Sequence, residues 1–281
     1  MSLAVGFPRQ MRVWLAPAML LALTLCGCPP KPASGPAVEL ATSDLIARIN
    51  ANNASVRNLW SRLDIKVELP GEKYSISGHL ILRKPLEYSQ PPRDLLLRGS
   101  DSLGTAEFQL GSNSQGYWYM LLAPRTEPVY SFVAYDKSEA QAGQASQALD
   151  LLSVLGVYEL PDKLDQQPWP VCRGYDEPAY YVISFVERTA AGPLRIRKDI
   201  WWNRRSQHVD LIELFDERGQ RYLSAALDDY RRFDGPELAT RIRITWYEQK
   251  LVLDLKLNDV QINSGKVSDK NFQHRKPDWA K

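Results

Sequence analysis

From Leu63 to Ile262 apolar and polar residues recurrently alternate with a period of two. In LDIKVEL (63–69), Leu63, Ile65, Val67 and Leu69 share one side, while Asp64, Lys66 and Glu68 take the other. SISGHLILR (75–83) groups Ile76, Leu80 and Leu82, and AEFQL (106–110) groups Ala106, Phe108 and Leu110. Successive side chains on a strand point to opposite faces, so these stretches are predicted to be half-buried antiparallel strands. RIRITWYEQKLVLDLKL (241–257) goes further and predicts its own register. With a turn centred on Glu248 and Gln249, Trp246 pairs with Leu251, Ile244 with Leu253, and Ile242 with Leu255. Cross-strand partners point to the same side, so the two apolar rows merge into one.

The period is 3.6 in only two places. Ahead of the strands, Leu45, Ile49, Val56, Leu59, Trp60 and Leu63 form a helical stripe, with Ser43 or Thr42 available as a cap and Asp44 complementing the dipole. Asn50, Asn52 and Asn53 predict a kink or a looser turn in its middle. A second helix is predicted from about Ser138 to Leu155, striped by Leu149, Leu152 and Leu155.

About twelve strand candidates face these two helices. Twelve strands at ~4.8 Å spacing make a sheet nearly 60 Å wide. Two helices, each ~10 Å across, cover roughly a third of that. The rest of the apolar face must curl away from water or line a hollow suited to an apolar ligand. The predicted fold is therefore mainly β within α+β: a large curved antiparallel sheet, an unclosed half-barrel, with about two helices as a lid on the concave face. The expected ligand-pocket residues are Ile65, Val67, Leu80, Leu82, Phe108, Leu110, Trp118, Ile200, Trp202, Ile242, Ile244, Trp246, Leu253 and Leu255. Trp202 is preferred to Trp201 because adjacent residues face opposite ways and Trp202 is in phase with Ile200. Tyr117, Tyr119, Tyr180 and Tyr181 could line the same pocket, although a large curved sheet uses aromatics in its core in any case.

The N-terminus changes the picture from a fold to an address. Arg9 and Arg12 precede a 13-residue apolar run from Val13 to Leu25, and Gly27 stands before Cys28. That is the layout of a secretory signal, with a run too short to span ~30 Å of hydrocarbon. Bacterial lipoprotein signals end in a small residue directly before the cysteine that becomes thioether-linked to diacylglycerol. Cys28 has glycine there, whereas Cys26 has the bulky Leu25. Residues 1–27 are thus read as a lipoprotein signal peptide and Cys28 as the lipidated residue, the alternative being an ordinary cleaved signal. Residues 28–40 read as a Pro-rich tether, 41–273 as a single domain, and 274–281 as a flexible tail.

The mature chain would have 281 − 27 = 254 residues, ample for one large core. Only Cys172 would remain unmodified, so no internal disulfide can form. Loss of Arg9 and Arg12 takes the 35 basic residues to 33, matching the 33 acidic ones. A neutral chain with no dense basic face argues against nucleic acid as a partner.

Catalytic signatures are missing. His79, His208 and His274 lie far apart and read as surface or edge residues. No metal-binding His or Cys spacing exists, nor a nucleophile elbow or P-loop, so neither catalytic residues, metal nor cofactor is expected. Asp228 and Asp229 are adjacent, which on a strand sends them to opposite faces. Cys172 reads as inert without a nearby histidine. Arg195, Arg197, Lys198, Arg204 and Arg205 could meet anionic headgroups, but read first as the solvated side of a strand.

The order helix, strands, helix, strands resembles the LolA/LolB family of bacterial lipoprotein carriers. LLLRGSDSLGTAEFQL (95–110) is similar to the LolB segment in which a strand ends in a proline-leucine-glycine loop before a polar-alternating strand. LDDYRRFDGPELATRIRITW (227–246) and LKLNDVQIN (255–263) are similar to the family's closing strands, with a Gly-Pro turn and a final Ile-Asn pair. The resemblance implies an unclosed antiparallel barrel lidded by helices, with a lipid or an acylated lipoprotein as cargo. It also implies that Leu103 is an exposed membrane-transfer residue, although Ser102 stands where the family has proline. LolB-type receptors are lipoproteins, so Cys28 implies a resident of the cell envelope anchored to a membrane and facing the periplasm, the outer membrane before the inner. The competing expectation is a sensor or assembly module that uses the same fold to bind a periplasmic protein partner without cargo.

Overall fold

The computed structural model describes residues 37–84, 94–102, 107–122, 127–135, 147–189 and 192–280. Cys28, the signal segment, the tether up to Pro36 and Leu103 lie outside them. After an extended entry, α1 (Thr42–Ala54) leads into six strands: β1 (Asn58–Leu69), β2 (Glu72–Arg83), β3 (Asp94–Ser100), β4 (Glu107–Ser112), β5 (Gly116–Leu122) and β6 (Val129–Ala134). Next comes α2 (Gln147–Val154), and then β7 (Trp169–Tyr175), β8 (Tyr180–Arg188), β9 (Leu194–Asn203) and β10 (Val209–Phe215). The chain closes with β11 (Arg221–Arg232), β12 (Glu237–Trp246) and β13 (Leu251–Ile262).

All strands join one 13-stranded antiparallel sheet in the order β6-β5-β4-β3-β2-β1-β13-β12-β11-β10-β9-β8-β7. The topology explains the helix positions. One meander runs outward from β1 to the β6 edge, and a second runs inward from the β7 edge to β13, beside β1. The segment carrying α2 must cross from one edge to the other, and it crosses on the inner face. The edges β6 and β7 do not pair, so the half-barrel stays unclosed.

Because every neighbour is antiparallel, the turns sort onto two rims. The near rim carries the β7–β8, β9–β10 and β11–β12 turns, together with the end of β13. The far rim carries the β1–β2, β3–β4, β10–β11 and β12–β13 connections.

The expected pairing of Trp246 with Leu251, Ile244 with Leu253 and Ile242 with Leu255 is the observed register. The first helix is shorter than its stripe. It ends at Ala54, and Leu59, Trp60 and Leu63 belong to β1. A spacing of four keeps Leu59 and Leu63 on one side in a helix and in a strand alike, so periodicity could not separate the two. Neither expected cap is used. Ala41 is the N-cap residue without a side-chain bond, while Thr42 hydrogen bonds with Cys172. The helix is continuous through its asparagines, so the expected kink is absent. Within the described residues α2 covers Gln147–Val154, and the expected start near Ser138 lies outside them.

Two further departures have local causes. Asp229 has a φ of +53°, which breaks strand alternation, and its carboxylate accepts from Thr240 Oγ1 at 2.9 Å and pairs with Arg231. His274, assigned by sequence to a loose tail, stacks on Phe132 at 4.4 Å and bonds Tyr130 through Nε2 at 2.5 Å. Residues after β13 therefore run back over the outer face of β3–β6, where Phe272 is buried.

Candidate functional site

The inner face is a continuous apolar surface assembled from the alternating rows. Ile65 and Val67 of β1 lie beside Leu255 and Leu253 of β13, and these beside Ile242 and Ile244 of β12. On the other side, Leu80 and Leu82 of β2 lead through β3 to Leu110 and Phe108 of β4. Trp246, Ile200 and Trp202 complete the set, and all thirteen are buried in the same core.

Trp118 is the exception, a correction to the expected pocket. Tyr117 and Tyr119 take the inner face of β5, and Trp118 points outward, near His274. GYWYMLL is apolar on both sides, so alternation carried no phase information there. Gly111 across the strand makes room, since a Cβ at that position would lie 2.2 Å from the indole ring.

Leu45, Ile46 and Ile49 of α1, with Leu151, Leu152 and Val154 of α2 and Leu155 just after it, pack onto the inner rows. A cavity of about 30 Å³ remains beneath them, lined by Ile49, Asn53, Gly156, Leu160, Lys198 and Ile212 among others. That is room for about one water, whereas ligand pockets commonly hold several hundred Å³. This cavity as it stands therefore does not house an acyl chain.

The polar groups that hold the lid were not anticipated. Asn53 is 2% exposed and donates from Nδ2 to the carbonyls of Gly156 at 3.2 Å and Tyr158 at 2.9 Å. Asn50 accepts from the Leu160 N–H at 2.7 Å and donates to its carbonyl at 2.9 Å. Asn52 makes the same reciprocal pair with Glu237, at 2.8 and 2.9 Å. The asparagines that read as helix-weakeners thus stitch α1 to the 156–160 segment and to β12.

Ionisable groups hold α2. The Asp150 carboxylate accepts from Tyr222 Oη at 2.8 Å and Trp246 Nε1 at 3.2 Å. Burial raises its pKa to about 6 even though both bonds favour the charged form. At the other end Lys198 Nζ donates to the Ser153 carbonyl at 2.8 Å. Lys198 sits opposite Phe185 and Leu214 on the inner side, not on the solvated strand face the sequence suggested. Burial pulls its pKa down to about 8, with Arg197 adding to the shift. Lys84 Nζ donates to the Asn53 carbonyl at 2.6 Å and pairs with Glu159 at 3.1 Å, joining α1 to the same segment. Burial lowers its pKa, and Glu159 works against that.

The remaining candidates lie outside this face. His79 is exposed on β2, and His208 pairs with Glu237 at 2.7 Å and stacks on Tyr230 at 4.0 Å. Trp201 faces outward and donates to Glu213 at 2.9 Å. Among the described residues no three His, Cys, Asp or Glu side chains gather to hold a metal ion. Among them also, no helix is long and apolar enough to cross a membrane.

No protein-family model and no curated protein sequence matches the chain. Solved structures do. A DUF1329 family protein from Desulfovibrio piger superposes with a TM-score of 0.52 at 12% identity, over 83% of this chain and 95% of that one. A structure described as an outer membrane lipoprotein-sorting protein domain, from Vibrio parahaemolyticus, gives 0.50 at 10% identity, over 82% and 95%. A LolA superfamily protein from Nitrosomonas europaea gives 0.47 at 9% identity, over 84% and 99%. An unclosed antiparallel sheet with two helices on its inner face, superposing on the first two of these chains over most of their length, is a LolA/LolB-like fold.

Proposed function

We propose that this protein is an envelope lipoprotein, lipidated at Cys28, that binds a lipid or the acyl chains of a lipoprotein between its inner face and its helices. In this reading it acts in lipoprotein or lipid localisation at the outer membrane. The observation that carries the proposal is the inner face itself, an apolar surface crossing the whole sheet and covered by two short helices. Binding would be non-covalent, with each buried CH₂ contributing about 0.8 kcal/mol. The side chains of α1 and α2 that now fill the space would give way to the ligand. The reading extends to Leu103, on the connection between β3 and β4, as the residue that hands cargo to a membrane. Leu103→Glu is expected to leave the unfolding midpoint unchanged and to slow lipoprotein transfer into vesicles. Transfer at the wild-type rate would remove Leu103 from the mechanism.

One observation favours a second reading. The cavity under the helices holds about one water, as in a module whose core is already filled. Such a module would bind a periplasmic protein partner and carry no cargo. The deciding experiment takes Cys28→Ser protein, secreted in soluble form and purified without detergent, and extracts it with organic solvent for mass spectrometry. About one equivalent of lipid or acylated peptide per chain is expected. An empty protein that also fails to bind added palmitate or acylated lipoprotein would sink the carrier reading and leave the filled module.

A further inference from the structure

The entry of the chain into the domain is fixed by a single buried arginine. Arg204, in the β9–β10 turn of the near rim, is 3% exposed. Its Nε donates to the Val38 carbonyl at 3.2 Å, and its Nη1 donates to the Tyr175 carbonyl at 3.1 Å and to Asp176 at 2.8 Å. Its Nη2 pairs with Glu39. The Val38 N–H returns a bond to the Arg204 carbonyl at 3.0 Å. Tyr181 Oη donates to Glu39 at 2.9 Å, accepts from the Leu40 N–H at 2.9 Å, and its ring lies under the guanidinium at 5.1 Å. The Arg204 guanidinium is buried and keeps its bonds only while this segment stays in place, so residues 38–40 are tied to the near rim.

The reach of the chain beyond that clamp sets a limit. From residue 28 to residue 38 there are 38 − 28 = 10 steps, at most about 36 Å when fully extended. The sheet is as tall: the 12 residues of β1 rise about 40 Å between the rims. A domain turned with its far rim down would need the whole tether stretched taut along the sheet, with nearly all its conformational freedom lost. A domain with its near rim down needs almost none of that length.

We infer that, when the chain is anchored at residue 28, the near rim carrying Arg204 faces the lipid surface and the far rim, with the β3–β4 connection, is held away from it. The inference rests on the anchoring part of the proposed function. The ends of β3 and β4 that flank their connection lie at the far rim, so transfer through it to the anchoring bilayer requires the domain to tip over on its tether. The far rim is then presented to whatever delivers or receives cargo across the periplasm.

The test separates orientation from lipidation. In a Cys172→Ser, Cys28→Ser protein, a donor dye is placed at Arg205→Cys on the near rim or at Gln249→Cys on the far rim, both exposed positions. In each protein, prepared with the serine at position 28 as its N-terminus, periodate cleaves that serine to a glyoxylyl aldehyde. The aldehyde forms an oxime with an aminooxy lipid in phosphatidylethanolamine–phosphatidylglycerol vesicles carrying an acceptor lipid. Energy transfer is expected to be at least about threefold greater from position 205, since β12 alone separates the rims by about 33 Å. Inserting about twenty Gly/Ser residues after Gly35 is expected to bring the ratio close to one, because the tether then outruns the sheet. Equal or reversed transfer in the uninserted protein overturns the inference. A ratio that survives the insertion overturns it too, since another surface would then be holding the domain down. A native protein found by mass spectrometry to lack diacylglycerol would refute the anchor while leaving the coupled-protein result intact.

Discussion

The two helices cover the same apolar face but are held there by a different balance of chemistry. α1 is fixed chiefly by asparagines, whose amides do not titrate: each of Asn50, Asn52 and Asn53 satisfies backbone groups of a distant segment, and Lys84 adds one charged bond to the Asn53 carbonyl. α2 is fixed by Asp150 and Lys198, whose pKa values are pulled toward neutrality by the burial that holds them. The first helix is held mostly by groups that do not titrate. The second is the element whose attachment answers to pH, and it lies on the segment that bridges the open edges of the sheet. If one helix moves to admit a ligand, the chemistry selects α2.

Breaking α1 should have the largest effect. Asn53→Ala removes two buried hydrogen bonds, leaves two carbonyls unpaired and enlarges the cavity beneath, a loss of about 3 kcal/mol. Urea unfolding measures it, and a loss below about 1 kcal/mol would mean that the asparagines decorate the helix instead of holding it.

Altering α2 should produce a smaller effect with a pH signature. The folded state raises the Asp150 pKa from 3.8 to about 6, so it binds this proton more tightly than the unfolded chain does. The stability gained from that proton is fully present below pH 4 and lost as pH rises through 6. Asp150→Asn keeps the geometry, because Tyr222 Oη can accept as well as donate. The variant is expected to match wild type near pH 4 and to exceed it by on the order of 2 kcal/mol at pH 7.5. A stability difference independent of pH would remove the latch. Other carboxylates, Glu187 and Glu237 among them, have lowered pKa values and destabilise the fold in acid, so the variant-minus-wild-type difference is the quantity to read.

Lys198→Met should give the smallest change. Lys198 is half-buried, and losing its bond to the Ser153 carbonyl is worth below about 1 kcal/mol at pH 7. Its folded pKa lies near 8 against an ordinary 10.5, so wild type gains stability as pH rises from 8 to 10. The methionine variant is expected to lack that rise, and thermal unfolding at pH 8 and pH 10 measures it.

Period-two alternation made most of this molecule readable. Where one face is apolar and the other charged, as in 241–257, the sequence carried even the register, because a one-residue slip would turn Ile242, Ile244 and Leu253 to water. It failed where both faces are apolar. GYWYMLL carries no phase, and it is the Gly111 gap and the returning C-terminal segment that turn Trp118 outward. A spacing of four misled in the same way, extending α1 over Leu59 and Leu63. Polar residues in apolar neighbourhoods were misread for a different reason. Asn50, Asn52 and Asn53 bond to partners 103 to 185 positions away, and nothing local distinguishes such bonds from weak helix formers. Arg204 and Lys198 stood in a basic run that reads as solvated. The turn and strand phase that bury them come from neighbours far along the chain.

The sequence by itself determined the class of fold, an antiparallel sheet too wide for its helices, because burial of one face leaves a periodic mark in every strand. Only the tertiary structure decided which groups hold the lid, how much of the hollow the helices fill, and at which rim the chain enters. Those depend on distances between residues remote in sequence, and the pairwise chemistry that fixes them exists only once the sheet has brought them together.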